Sequence, residues 1–226
     1  MRRVALALLV VLVAPPVLAQ TAADSSSADA AWLASANAAR TFGAGPNGSF
    51  DPGVPTIHEF ADLACPTCRR AFETRIDSVK SLFVQTGRAN FIVHAFPLPR
   101  LMRGPHAAEA MLCAGAIGGR EGFSALQRHL YATQPDWRFL RDIGPHVCRA
   151  AAKAGLDPVD FDECIARDAM APLIAADLRL GASLGASGTP TFVFMAPGAR
   201  EPSDVFYGTE PLARYEDALA LTLSTD

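Results

Sequence analysis

Residues 65–68 read Cys-Pro-Thr-Cys inside the stretch IHEFADLACPTCRRAFETR. Two cysteines at this spacing are half of a zinc site, the ends of a short structural staple, or a redox pair. Zinc needs a second pair of ligands, yet Cys113, Cys148 and Cys164 form none at ligand spacing and no His-x₃₋₅-His exists. A staple that closes a loop of two residues removes little entropy from the unfolded chain. Redox exchange fits the setting better. The pair falls between a strand-like run, TIHEF, and a helix-like run, PTCRRAFETRIDSVKSLFVQTG, which puts Cys65 at a helix N-terminus. Unpaired N–H groups and the helix dipole favour a thiolate there, and the thiolate is the species that attacks. Pro66 suits a first helical turn, where its missing N–H costs nothing, and Thr67 places a hydroxyl beside the sulfurs. Arg69 and Arg70 could favour the Cys65 thiolate, but read rather as a solvated helix face.

Which cysteine chemistry is open depends on the compartment. The N-terminus, MRRVALALLVVLVAPPVLAQ, has two arginines, an apolar run from Val4 to Ala14, two prolines and a small-residue site ending at Ala19. A membrane span needs about 20 apolar residues, so residues 1–19 read as a cleaved signal peptide. The mature chain is then expected to be periplasmic or otherwise extracytoplasmic, with no stable membrane insertion after cleavage. The 226 residues carry 20 Lys+Arg against 23 Asp+Glu, a net charge of −3, and losing Arg2 and Arg3 makes it −5. Nothing basic invites nucleic acid. With 50% hydrophobic residues the chain can bury a good core as one domain, or one domain with an insertion. All five cysteines follow the leader, and an odd count leaves one thiol to be explained.

Residues 20–50 read as a flexible lead with a short Ala-rich helix, and residues 51–226 as the folded domain, with its first core strand from about Val54. TIHEF and ANFIVHAF read as strands joined by the long helix, a crossover unit expected to be parallel. From about 104 to 186 the pattern is helical. Phe123, Leu126, Leu130 and Tyr131 share one face, then Ile143, Val147, Ala151 and Ala154, then Phe161, Cys164, Ile165 and Ala169. Strands return in TFVFM and DVFY before a last helix from Pro211 to about Leu223. An α/β sheet interrupted by an all-helical insertion accounts for this order, because neither flanking half has enough strands to stand alone.

EFADLACPTCRRAF, followed more than a hundred residues later by GTPTFVF, is similar to the thioredoxin-like fold of DsbA-type thiol-disulfide oxidoreductases. VPTIHEF, FPLP, AAEAMLCAG, GLDPVDFDEC and YGTEPL extend the resemblance from about residue 50 to the C-terminus. It implies a thioredoxin-like fold with the helical insertion between the second and third core strands. It also implies an exported enzyme that exchanges disulfides with protein thiols and needs no bound cofactor or metal. Its partners would be exported substrate proteins and a membrane redox partner. Oxidation is the leading direction; reduction or isomerisation is the enzymatic alternative, hinted at by Thr189, and copper handling the non-enzymatic one.

The resemblance further implies roles. Cys65 matches the exposed nucleophile and Cys68 the buried resolving partner. Pro190 matches a cis-proline packed against the redox pair, leaving the Thr189 backbone to pair with substrate. Glu59, six residues before Cys65, matches a buried acid able to accept a proton from Cys68. Strand alternation leaves open the opposite reading, with Glu59 outward and His58 inward. Among the remaining cysteines, Cys148 and Cys164 lie symmetrically about the turn at 155–157 and suit a helix hairpin. The resemblance favours Cys113 with Cys164, leaving Cys148 as a free thiol packed like a small hydrophobe.

Overall fold

The computed structural model describes residues 29–224. The expected leader and the first part of the lead therefore lie outside the described residues. Five strands among the described residues, β1 (Thr41–Phe42), β2 (Thr56–Ala61), β3 (Asn90–Ala95), β4 (Thr191–Met195) and β5 (Asp204–Tyr207), form one sheet in the order β1-β3-β2-β4-β5. β2 and β3 are parallel, and every other neighbouring pair is antiparallel. β2 is central, with Glu59 registered between Val93 of β3 and Phe192 of β4.

Both faces of β2 are covered, so it does not alternate cleanly between apolar and polar. Ile57, Phe91, Phe192 and Phe194 pack with Ile76, Val79 and Phe83 of α2 (residues 66–84) and with Tyr215, Ala218 and Leu219 of α8 (Leu212–Leu223). Phe60, Phe96 and Val193 form a second cluster on the other face. Each fully buried Phe of this kind contributes about 1.5–3 kcal/mol of transfer free energy. α2 starts as an α-helical segment, Pro66–Ala71, and continues through π-type turns at Phe72–Ile76 and Lys80–Val84.

Between β3 and β4 stand α3 (Gly104–Ala132), the short α4 (Gln134–Trp137), α5 (Gly144–Lys153), α6 (Pro158–Ala166) and α7 (Ala171–Ser183). α3 breaks at Gly119, whose φ of 60° is a conformation that glycine adopts without a Cβ penalty. Asp157 starts α6 by accepting from the Val159 and Asp160 N–H groups at 2.9 and 3.1 Å, ahead of Pro158 in the first turn. A disulfide joins Cys113 of α3 to Cys164 of α6 across a sequence separation of 51. Cys148 is exposed and not packed as a small hydrophobe; it donates to Asp162 Oδ1 at 3.5 Å, because it lies on the outer face of α5.

The described part of the lead holds the short Ala-rich helix expected there and adds a strand. A helix at residues 29–39, α1, buries Ala36 and Ala39, and β1 pairs antiparallel with β3. Arg40 forms an ion pair with Asp177 of α7, which also accepts from His94 Nδ1 at 2.8 Å and from the Ala95 N–H at 2.9 Å. His58 Nδ1 meets His94 Nε2 at 2.9 Å. Burial first, then His94 and Arg40, holds His58 down to a pKa of about 3, so its ring is neutral. The segment from 29 to 50 is thus packed against the sheet and tied by a buried charge network. A two-residue edge strand is too short for period-two alternation to announce it.

Candidate active site

Cys65 is the N-cap of α2, immediately after the loop that leaves β2. Five hydrogen bonds hold that loop. The Cys65 N–H donates to the Asp62 carbonyl at 3.0 Å. Asp62 Oδ1 accepts from the Ala64 N–H and Oδ2 from the Leu98 N–H, each at 2.8 Å. Gln134 Nε2 of α4 donates to the Leu63 and Cys65 carbonyls at 2.7 and 3.0 Å. The insertion therefore helps to fix the backbone that carries Cys65.

The sheet brings the second half of the site to the same edge. Thr191 opens β4 opposite Phe60, near the end of β2. The preceding peptide, Thr189-Pro190, is cis. Cys65 Sγ donates to the Thr189 carbonyl at 3.4 Å. Thr189 Oγ1 is buried without a hydrogen-bond partner of ordinary geometry among the described residues, and it faces both sulfurs, so it is available to a thiolate. Cys65, Cys68, Thr189 and Pro190 are together despite 120-odd intervening residues.

The two thiols are electrostatically unlike. Cys65 keeps 5% exposure, Cys68 none, so an incoming sulfur reaches Cys65 first. The hydrogen bond from the Cys68 thiol pulls the Cys65 pKa from 9.0 to about 5, helped by Thr189 and the N–H groups of Cys68 and Thr67 and opposed by burial. Burial pushes Cys68 well above its ordinary value, and the neighbouring Cys65 adds to the rise. Arg69 and Arg70 are not what lowers Cys65. Arg69 pairs with Glu73 at 2.7 Å along the helix, and Arg70 is exposed.

Glu59 is 1% exposed, which places it inside; His58, on the opposite face of β2, is half-buried. Its Oε2 has no partner among the described residues, and burial raises its pKa to about 7 against the pull of Lys80. Burial likewise raises Asp62 to about 6, with the Leu98 and Ala64 N–H groups opposing and Cys65 adding to the rise. Both carboxyls act on buried Tyr131, as do both sulfurs, which brackets them in one electrostatic neighbourhood. Asp62, Gln134 and Lys80 are absent from the sequence reading, and Tyr131 enters it only as part of a helical apolar face. Asp62, three residues before Cys65, was the one with a readable signal, an acid able to tie a turn at a helix start.

The surface around residues 64–66 is basic and apolar. Two shallow depressions share Arg138 and Phe139; Arg69 and Arg70 line one, and Arg100 and Arg103 the other. Phe139 is 81% exposed. Among the described residues no group of three or more His, Cys, Asp or Glu is arranged to hold a metal, and no helix is long and apolar enough to cross a membrane.

Residues 53–196, which include both site cysteines and Pro190, match the thioredoxin family model. No curated protein matches the sequence. Solved structures share the fold. One is α-DsbA1 of Wolbachia pipientis, 22% identical with a TM-score of 0.67 over 82% of this chain and 91% of that one. Another is BdbD of Bacillus subtilis, 16% identical with a TM-score of 0.65 over 82% and 92%. A thioredoxin-like oxidoreductase from Silicibacter pomeroyi DSS-3 is 25% identical, with a TM-score of 0.55 over 77% and 90%. The fold is the thioredoxin-like one with a helical insertion between the second and third core strands.

Proposed function

Since this chain belongs to the thioredoxin family, we propose that it is a protein thiol-disulfide oxidoreductase that works through Cys65 and Cys68, chiefly as an oxidase. The observation that carries this reading is the opposite displacement of the two thiols, Cys65 down to about 5 and Cys68 well above 9.0. In the oxidising direction a substrate thiolate attacks Cys65 Sγ of the Cys65–Cys68 disulfide. The new bond forms at Cys65, and Cys68 leaves with the electron pair and is then protonated. A second substrate thiolate next attacks the substrate sulfur of the mixed disulfide. Cys65 leaves as a thiolate, the substrate is oxidised by two electrons, and the enzyme holds the dithiol.

Sulfur leaves faster the lower its pKa, so a Cys65 thiolate stable at about 5 speeds the release of oxidised substrate. The same property weakens Cys65 as an attacker in the reducing direction, since nucleophilicity falls with pKa. Glu59, titrating at about 7, serves as the proton acceptor for Cys68 when the mixed disulfide is resolved inward. Thr189, before the cis-proline, offers its backbone to an extended substrate segment, while the Arg138–Phe139 rim meets the flanking residues. The substrates in this reading are exported proteins, and a membrane redox partner reoxidises Cys65 and Cys68. No cofactor is required, since the electrons pass between sulfurs.

Incubation with a reduced dithiol peptide tests the assignment. Cys65→Ser abolishes exchange, whereas Cys68→Ser accumulates a mixed disulfide on Cys65 visible by mass spectrometry. Full turnover by Cys65→Ser would overturn it. Stoichiometric tight binding of Cu(I) by the reduced pair, with no exchange activity, would favour the copper-handling alternative.

A further inference from the structure

α2 and the second half of α3, with the loop after β1, wall a cavity of about 750 Å³. Its charged lining is lopsided: Lys80, Arg120 and Arg128 face one carboxylate, Asp77. None of these three cations belongs to an ion pair among the described residues, in a chain whose net charge is −3.

The Lys80 ammonium sits 3.5 Å from the centroid of the Phe42 ring and 5.3 Å from that of Phe91. Arg120 approaches the Phe42 ring too, at 5.5 Å, and its Nη2 donates to the Thr41 and Gly48 carbonyls at 2.8 and 2.9 Å. Its Nε is buried and has no partner among the described residues. The loop is shaped to receive this guanidinium. Gly48 has a φ of 74°, a turn glycine takes without a Cβ penalty, and a Cβ there would lie 2.3 Å from Arg120 Nη1, so a larger residue would push the guanidinium from this position. Ser124 and the buried Gln127 add neutral polar groups on the same wall.

Three cations against the two carboxylates Asp77 and Glu59 leave an excess of like charge that raises their energy, and a desolvated donor without an acceptor is costly. Carboxylate oxygens relieve both at once, and Phe42, Phe72 and Val84 offer an apolar surface beside them. We propose that this cavity is a binding site for a small organic anion, a carboxylate or dicarboxylate carried on an aromatic or otherwise apolar framework. The site is separate from the cysteine pair and does not rest on the redox assignment. Lys80 is faced by Glu59 of β2, Asp77 of its own helix, and Arg120 and Arg128 of α3. Burial and the two arginines hold Lys80 down to about 8 while the carboxylates oppose, so its charge is fully present only below that pH.

Calorimetric titration with phthalate tests the site, with its neutral diamide and inorganic sulfate as controls. The expected result is saturable one-to-one binding of phthalate, weaker for sulfate, and about tenfold or more weaker for the diamide, the loss of charge-assisted contacts. Affinity falls as pH rises through 8, where Lys80 loses its proton and Glu59 is already ionised. Lys80→Met weakens binding about tenfold, and Arg128→Gln about threefold or more. Arg128 is exposed, so the second variant decides should the first fail to fold. Cys65→Ser binds phthalate as the parent does. No saturable heat at millimolar phthalate, equal binding of the diamide, or unchanged affinity in Arg128→Gln would each overturn the proposal.

Discussion

Cys68→Ala tests most sharply how the site makes a thiolate. Cys65 titrates at about 5 against an ordinary 9.0, and the largest contribution is the hydrogen bond from the Cys68 thiol. A hydrogen bond to a charged group is worth about 1.5–3 kcal/mol, and one pKa unit is about 1.4 kcal/mol. Alanine keeps the backbone N–H and removes only the thiol, so the midpoint should rise by roughly one to two units, to between about 6 and 7. At pH 6 the thiolate fraction then drops from about nine-tenths to between about a half and a tenth. The ultraviolet absorbance of the thiolate and the pH profile of iodoacetamide alkylation both read this fraction, the latter localised to Cys65 by mass spectrometry. A midpoint unchanged in Cys68→Ala would refute the role of the partner thiol and leave the helix N-terminus and Thr189 as its source. A parent midpoint near the ordinary value would refute the stabilised thiolate altogether.

Glu59→Gln removes a carboxylate that exists only above a pH of about 7. Resolution of a Cys65-linked mixed disulfide by Cys68 should slow by about a hundredfold at pH 8, with parent and variant rates converging near pH 5.5; equal rates at pH 8 would exclude the proton-acceptor role. The folded pKa of Glu59 is raised, so its burial costs stability progressively as pH rises from the unfolded value toward 7. Glu59→Gln should accordingly gain stability relative to the parent at pH 8 and show no gain near pH 4, as read by urea unfolding. Replacing Cys113 and Cys164 together by alanine frees a loop with a sequence separation of 51, a loss of about 4 kcal/mol on the chain-entropy account, measurable in the same assay. Asp177→Ala strands buried Arg40 and His94 without their acceptor and should cost about 3–5 kcal/mol, whereas Asp160→Ala at an exposed position should change little.

The parts of the fold that repeat a period were readable from residues. β2, β3 and β4 carry compact apolar runs between breakers, and α2 and the insertion helices carry faces of Phe, Leu and Ala at helical spacing. The site cysteines were readable because their spacing admits few chemistries. Asp62, Gln134 and Lys80 were not, because their roles depend on what the fold sets beside them. Gln134 reaches two carbonyls more than sixty residues away. Lys80 owes its properties to ring faces and guanidinium groups from other elements. β1 was invisible for a related reason: its two residues gain their strand geometry from β3, and Arg40 beside them is buried only because Asp177 of α7 comes to meet it.

The reduction potential of the Cys65–Cys68 pair, measured in glutathione buffers, tests the central claim most directly. Thiolate stabilisation favours the dithiol and so makes the disulfide more oxidising. Reference redox proteins with nucleophile pKa values of about 3.5 and 7 have potentials of about −120 and −270 mV. A Cys65 pKa of about 5 interpolates between them to roughly −180 mV. A value near that, above the cytosolic glutathione poise, is what an oxidase built on this site requires. A value at or below about −270 mV would contradict the account, since the reduced pair would then be the working reagent.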